Sequence, residues 1–531
     1  MNKAWDSFSS SHRYFPEVGI SIDTSRMGLG KDGFHKSPSL DKALEEMRNL
    51  EAGSIANPDE NRQVGHYWLR TPEIAPGNIA EEVRQNIAAI KDFVAKLKNG
   101  NILSTNGKKF RHALLIGIGG SALGPQFISE ALARVDREIT LHFSDNTDPD
   151  GMRKTLLELD SDLDATLFIV VSKSGGTVET RNGMLEAKKF CSIRDVPFTR
   201  HAVAITCSGS KLDQQAEREG WLTRLHMWDW VGGRTSLFSA VGLVPALLEG
   251  IDIDVLLRGA REMDELTRSN EAAANPALLL ALSWLRATEG AAKRDMVVLP
   301  YKDRLGLFAK YLQQLVMESL GKEYDLLGRT VNQGLVVYGN KGSTDQHAYI
   351  QQLREGPDNF FASFIEVLSD YAIEDAPQEE LEVEPGITSA DYLSGFLHGT
   401  KLALAEKSKL SLTITIDELS PFTVGALVAL FERAVGFYAS FVGINAYHQP
   451  GVEAGKKAAG QIISLQRQVS DWATKNKGKN KISAEFVAIE LGEPEVAELV
   501  FNILLRFAVN ERFGVKVLRG KTAGETFFAF E

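Results

Sequence analysis

Only two cysteines, Cys191 and Cys207, occur in 531 residues. So few cannot build a disulfide framework for a chain this long, and a reducing, cytoplasmic setting is expected. Positive charge is also scarce: 59 lysines and arginines stand against 70 aspartates and glutamates, a net −11. Nucleic-acid binders ordinarily carry a basic surplus, so no nucleic-acid partner is expected. Local cations can still hold an anion inside an acidic protein. The apolar run around 276–285 is about ten residues, well short of the ~20 needed to span a bilayer. The first fifteen residues are polar, without the apolar segment of a signal peptide. No membrane association is expected.

What is present reads as a globular enzyme-sized chain. Hydrophobic residues make up 44% and charged residues 24%, which leaves no room for a disordered or fibrous class. Single cores stop growing near ~250–300 residues, so two large lobes are expected. Short apolar runs at 113–116, 167–171 and 203–206 alternate with helical stretches, as buried parallel strands in βαβ units do. The pattern returns at 296–300, 334–338 and 412–416. The fold expected is α/β: two α/β/α sandwich lobes with parallel-rich sheets, an N-terminal helical arm and a small C-terminal tail. The expected boundaries are 1–79 for the arm, 80–250 for the first lobe and 251–274 for a helical connector. The second lobe takes 275–460 and the tail 461–531. Within the arm, 19–30 reads as loop and 39–49 as helix. Residues 374–384 carry six acids and read as a solvated loop or hairpin. The lysines of 475–481 read as an exposed linker. Beyond them two helical segments precede candidate strands at 515–518 and 526–530.

Two glycine loops carry the first functional signal. Residues 116–124, IGIGGSALG, follow a strand and open a helix. Gly117, Gly119 and Ala122 meet a relaxed dinucleotide fingerprint, but the acidic residue expected about twenty positions on is poorly placed. The loop 171–177, VSKSGGT, also follows a strand and opens a helix. It offers three hydroxyls, one ammonium and backbone N–H groups at a positive dipole end. It lacks the P-loop spacing, so a phosphate monoester suits it better than a nucleoside triphosphate. Two such loops at strand C-termini of one sheet meet at a crevice.

These segments belong to a larger pattern. GIGGSALGP at 117–125, SKSGGTVET at 172–180, GGRTS at 232–236, MESLGK at 317–322, STDQHA at 343–348 and GVEAGK at 451–456 resemble the glucose-6-phosphate isomerase family in order and spacing. The resemblance implies sugar-isomerase-type lobes and interconversion of glucose 6-phosphate and fructose 6-phosphate. It implies a phosphosugar substrate, no metal and no organic cofactor. It also implies a homodimer in which His347 reaches the neighbouring site. Three departures stand out: Gly175 and Gly176 in a loop that is threonine-rich in many relatives, Thr235 where an aromatic residue is usual, and Pro450 in place of a bulky residue.

Aldose–ketose isomerisation needs a phosphate grip, ring opening, a base between C1 and C2, and stabilisation of an enediolate. Ser172, Lys173, Ser174 and Thr177, with Gly120 and Ser121 beside them, are the candidate grip. Glu318 is the candidate base. Phe308, Leu312 and Leu315 recur at helical spacing, and Gly321 is expected to close the helix with a left-handed cap. A carboxylate in that last turn sits at the negative dipole end, which disfavours its charge. A lone glutamate near a helix end is more often a solvated surface residue; the match at MESLGK selects this one. Gln314, four residues earlier, is expected on the same face and matches a substrate contact of the family. Arg234 is the candidate for holding the enediolate charge. His347 and Lys456 are candidates for ring opening, the histidine because it trades protons near neutrality. Lys456 lies early in a helix opened by Pro450, whose positive end eases proton release. Gln449 matches another substrate contact. Glu179 and Glu453 match family acids without an assigned step.

Three alternatives remain open to the sequence. A glucose/mannose 6-phosphate isomerase is kept alive by the altered second loop. A non-catalytic phosphosugar-binding regulator would need the loop but not Glu318, Arg234, His347 and Lys456 together. A dinucleotide-dependent dehydrogenase stands third.

Overall fold

A computed structural model describes residues 3–29, 38–371 and 381–531. They form two compact units, Met1–His448 and Gln449–Glu531. The first unit is built on two sheets. One has five strands, all parallel, in the spatial order Thr140–Ser144, His112–Ile116, Thr166–Val171, Ala202–Cys207 and Thr223–Met227. Thr166–Val171 is buried at every position, as a strand covered on both faces must be. Its residues alternate between two cores. Phe168 and Val170 join Leu114, Ile116, Met184 and Leu212 on one side; Leu167, Ile169 and Val171 join Leu115 and Val203 on the other.

Chain order reverses in this sheet between His112–Ile116 and Thr166–Val171. In a doubly wound sheet the crevice opens at such a switch point, outside the C-terminal strand ends. The two strands there lead directly into the glycine loops at 117 and 172.

The second sheet has six strands in the order His12–Phe15, Ile20–Arg26, Ser411–Ile416, Phe360–Val367, Asp295–Pro300 and Val337–Tyr338. The last four run parallel, and the first two add antiparallel at one edge. The loop expected over 19–30 is therefore largely the strand Ile20–Arg26. Its polar residues Ser21, Asp23 and Thr24 are buried because Ser411–Ile416 pairs with it, a partner no local pattern announces. The central strand Phe360–Val367, fully buried from Phe360 to Ile365, is not among the expected strands.

Ile253–Leu266, Pro276–Thr288 and Pro38–Glu51 pack around one long helix, Pro421–Val442. That helix is longer than the 276–285 run and uncharged apart from Glu432 and Arg433. By length and composition it suits a bilayer, yet 94% of its most apolar window is buried inside the protein. It packs along Ile253–Leu266. Between them sits a buried ionic cluster. Asp264 accepts from Arg70 at 2.6 and 2.8 Å and from Arg433 at 2.8 Å. Arg70 also pairs with Glu432, and Arg433 with Glu51, which Arg268 holds at 2.9 Å.

The second unit begins with the helix Pro450–Lys475, followed by Ala484–Glu490 and Ala497–Val509. Val515–Leu518 and Phe527–Phe530 then pair antiparallel. Its core gathers Leu465, Val469, Trp472, Val487, Leu504, Phe507 and Phe528. The helices and strands expected after the lysines are thus present. Of the acidic stretch 374–384, residues up to 380 lie outside the described residues; Glu382–Glu384 forms a short hairpin with Ile387–Thr388.

Candidate functional site

The first glycine loop packs against the GGRTS turn with no space between them. A Cβ on Gly120 would lie 2.0 Å from the Gly233 carbonyl oxygen, and Ser236 Oγ donates to the Gly120 carbonyl at 3.2 Å. Gly119 has φ +58°, and a Cβ there would meet Gln314 Nε2 at 3.0 Å. Glycine at both positions is what lets three segments, 117–121, 232–236 and 313–318, converge.

Gln314 and Glu318 do not sit on a plain α-helix. Phe308–Leu312 is α-helical, and Gln313–Glu318 widens into a π turn. Such turns are rare and concentrate at functional sites; nothing in the spacing of apolar residues distinguishes one from an ordinary turn. Nor is Gly321 a left-handed cap. Its N–H donates to the Met317 carbonyl at 2.8 Å, and a Cβ would come 2.8 Å from that same oxygen. Close approach, not positive φ, is the reason for glycine there.

Glu318 and Arg234 meet. Arg234 Nε lies 3.0 Å from Glu318 Oε2. The arginine is buried while the glutamate side chain keeps 22% of its surface, enough for a small molecule to reach it. Arg234 Nη1 donates to the Ala446 carbonyl at 3.0 Å and Nη2 to the His448 carbonyl at 3.3 Å. A guanidinium tied this way cannot swing, so its charge is preorganised. Those carbonyls, far along the chain, were invisible to sequence reasoning. A cavity of about 50 Å³ adjoins, lined among others by His66, Lys173, Arg234, Ser319 and Glu432.

The second loop is internally braced. Ser172 Oγ donates to Thr177 Oγ1 at 3.0 Å, and Thr206 Oγ1 donates to the Ser172 carbonyl at 2.6 Å. Ser174 is exposed, and its Oγ accepts from the Gly176 N–H at 3.2 Å. The helix Val178–Ile193 starts immediately behind. Lys173 turns inward: Nζ donates to the Asp229 and Val231 carbonyls, both at 2.7 Å, and burial lowers its pKa. The ammonium is therefore tied to carbonyls, which leaves hydroxyls and main-chain N–H groups as the loop's remaining polar groups. Replacing both Ser174 and Thr177 with Ala is expected to raise KM markedly. Each lost charge-assisted hydrogen bond costs on the order of 1.5–3 kcal/mol. An unchanged KM for the double variant would place the phosphate elsewhere.

His347 ends the turn Thr344–His347 and is exposed. Its loop is anchored by its neighbours. Buried Asp345 accepts from the Asn340 N–H at 2.8 Å and from Tyr349 Oη, and Gln346 Nε2 donates to the Phe396 carbonyl at 2.9 Å. Gln449 is the first residue of the second unit. Lys456 stands in the second turn of Pro450–Lys475, and its side chain lies outside the described residues.

Comparison with known proteins finds relatives along most of the chain. The family described as phosphoglucose isomerase matches residues 34–383 and 401–481. The glucose-6-phosphate isomerase of Geotalea daltonii is 54% identical over 532 residues, covering 99% of each chain. That of Geobacter sulfurreducens is 56% identical over 517 residues, covering 97% of this chain and 96% of its own. The crystal structure of a glucose-6-phosphate isomerase from Chlamydia trachomatis superposes with a TM-score of 0.74 at 26% identity. It covers 87% of this chain and 91% of that one.

Proposed function

This chain belongs to the phosphoglucose isomerase family and interconverts glucose 6-phosphate and fructose 6-phosphate, and we propose that the junction of Glu318 with Arg234 is where it does so. The observation that carries the assignment is the 3.0 Å pair of a reachable carboxylate and a buried, tethered guanidinium. They lie where both glycine loops leave the sheet's switch point. In this reading the phosphate rests on Ser172, Ser174, Thr177 and the N–H groups of that loop, with Gly120 and Ser121 beside it. Lys173 braces the loop through its two carbonyl bonds and supplies its main-chain N–H. The sugar then points toward Gln314 and Glu318.

Ring opening is assigned to His347 and Lys456, one delivering a proton to O5 and the other taking one from O1. Glu318 next removes the C2 proton of the open aldose. Negative charge spreads over O1 and O2 of the enediolate, opposite Arg234. The hydroxyl proton passes from O2 to O1, and the carboxylic acid returns a proton to C1, giving the ketose. Gln449 completes the sugar contacts. The comparisons do not favour a mannose-active enzyme or a silent regulator.

His347 is assigned to the site of a second copy, in a homodimer acting in the cytoplasm. The Glu318→Gln and His347→Ala proteins are then each nearly inert alone. Co-expressed, their heterodimers regain one working site, read as conversion of fructose 6-phosphate in a coupled assay. Heterodimers that form but stay inactive would rule out the shared site.

A further inference from the structure

Four residues beyond Glu318, Lys322 opens the short strand Lys322–Tyr324. Lysine is almost never buried unless paired, yet only 5% of this one is exposed. Its Nζ turns back and donates to the main-chain carbonyl of Glu318 at 2.7 Å. That carbonyl stands near the end of the π turn, where helix acceptors run out of N–H partners. A buried side chain thus closes the segment that carries the base.

Charged and titratable groups face Lys322 from four directions. Arg234 comes from the turn Gly233–Thr235 and Glu318 from the π turn. Asp59 comes from the turn Pro58–Glu60, and His448 from the segment after Pro421–Val442. Burial, aided by Arg234, brings the ammonium down to about 7, while Glu318 and Asp59 pull the other way.

We propose that Lys322 is a positioning residue of the isomerisation: by tying off the Glu318 carbonyl it fixes the turn that aims the base, and it places a second positive charge behind that base. This rests on Glu318 being the base. Two cations, Arg234 and Lys322, then flank one carboxylate. On the acid side of neutrality Lys322 is charged, and a nearby positive charge favours an ionised carboxylate. A neutral side chain at 322 removes that positive charge from behind the carboxylate.

Three variants separate the two roles. Lys322→Met has similar length and lacks both donor and charge. Its kcat should fall about 10- to 100-fold with KM within about threefold, the signature of a base slightly misplaced. The acidic limb of its kcat/KM profile should rise by roughly half to one pH unit, as expected for a lost charge at short range in a partly buried site. Lys322→Gln keeps a donor for the carbonyl without the charge, so its limb should rise while kcat falls less. Lys322→Arg keeps the charge, and its limb should stay in place. If Lys322→Met does not fold, the Gln variant still reads the limb. Folded neutral variants with wild-type kcat and an unmoved limb would overturn the proposal. The Glu318→Gln protein tells the two failures apart. Turnover surviving there means the base is elsewhere; an inert Glu318→Gln beside a wild-type-like Lys322→Met sinks the positioning role alone.

Discussion

Glu318→Gln is expected to lose about 10³-fold or more in kcat while still binding substrate, within the range a positioned general base contributes. The two side chains are nearly isosteric, so the π turn and the Lys322 bond to the main chain have no reason to shift. An amide can still accept a hydrogen bond from Arg234 Nε. What it cannot do is take a proton from carbon. The measurement is paired. Wild-type protein in deuterated water should place deuterium at C1 of fructose 6-phosphate, because a carboxylic acid exchanges its proton before returning it. A direct hydride shift would leave C1 free of label. The variant should show neither label nor turnover. Turnover within about tenfold of wild type, roughly 1.4 kcal/mol of barrier, would remove Glu318 from the role.

Asp264→Asn should cost about 3–5 kcal/mol of stability, the range for removing one partner of a buried ion pair. Asp264 is fully buried, and both its carboxylate oxygens are used: Arg70 takes both and Arg433 shares one. Asparagine fits the space but leaves two guanidinium groups facing an amide. Chemical denaturation followed by tryptophan fluorescence reads the loss, and a change under 1 kcal/mol would show that Glu432 and Glu51 suffice. Its pH dependence has a definite sign. Despite burial, which raises it, the two arginines hold this carboxyl down at about 2. A depressed pKa gives stability that is fully present above the ordinary aspartate value near ~3.9 and lost as pH falls through the folded one. The gap between wild type and variant should therefore be constant above about pH 4 and shrink toward pH 2.

The chain's own pattern announces the middle of the first sheet well, because 112–116, 166–171 and 202–207 hold short apolar runs; the edge strands Thr140–Ser144 and Thr223–Met227 carry polar and charged residues and lack that signal. It announces the second sheet less well. Ile20–Arg26 carries serine, aspartate and threonine, and only pairing with Ser411–Ile416 makes it a strand. Glu318 and Arg234 could be singled out from MESLGK and GGRTS, and the fold brings their side chains together. The tethers of Arg234 come from Ala446 and His448, over two hundred positions away. They are main-chain carbonyls, which any residue type supplies, so no motif records them. Lys322 was in plain view as the last letter of MESLGK. Its burial was not, since a lysine beside a glycine at a helix end reads as solvated. The π turn escaped for a related reason: Phe308, Leu312 and Leu315 recur at ordinary helical spacing, and no residue type marks the widening.

The pairing of Arg26 with Ser411 spans 385 residues. A ribosome adding ~5–20 residues per second needs roughly 20–80 s to cross that interval. For all of that time Ile20–Arg26 exists without its neighbour, while the five-stranded sheet, complete by Met227, can already close. Its apolar residues Ile20 and Ile22 must stay out of trouble through the synthesis of most of the chain. Within the second sheet this edge is thus the last part that translation permits to form. A nascent chain stalled short of residue 411 should bind a chaperone through its amino-terminal segment, and one released past 416 should let go.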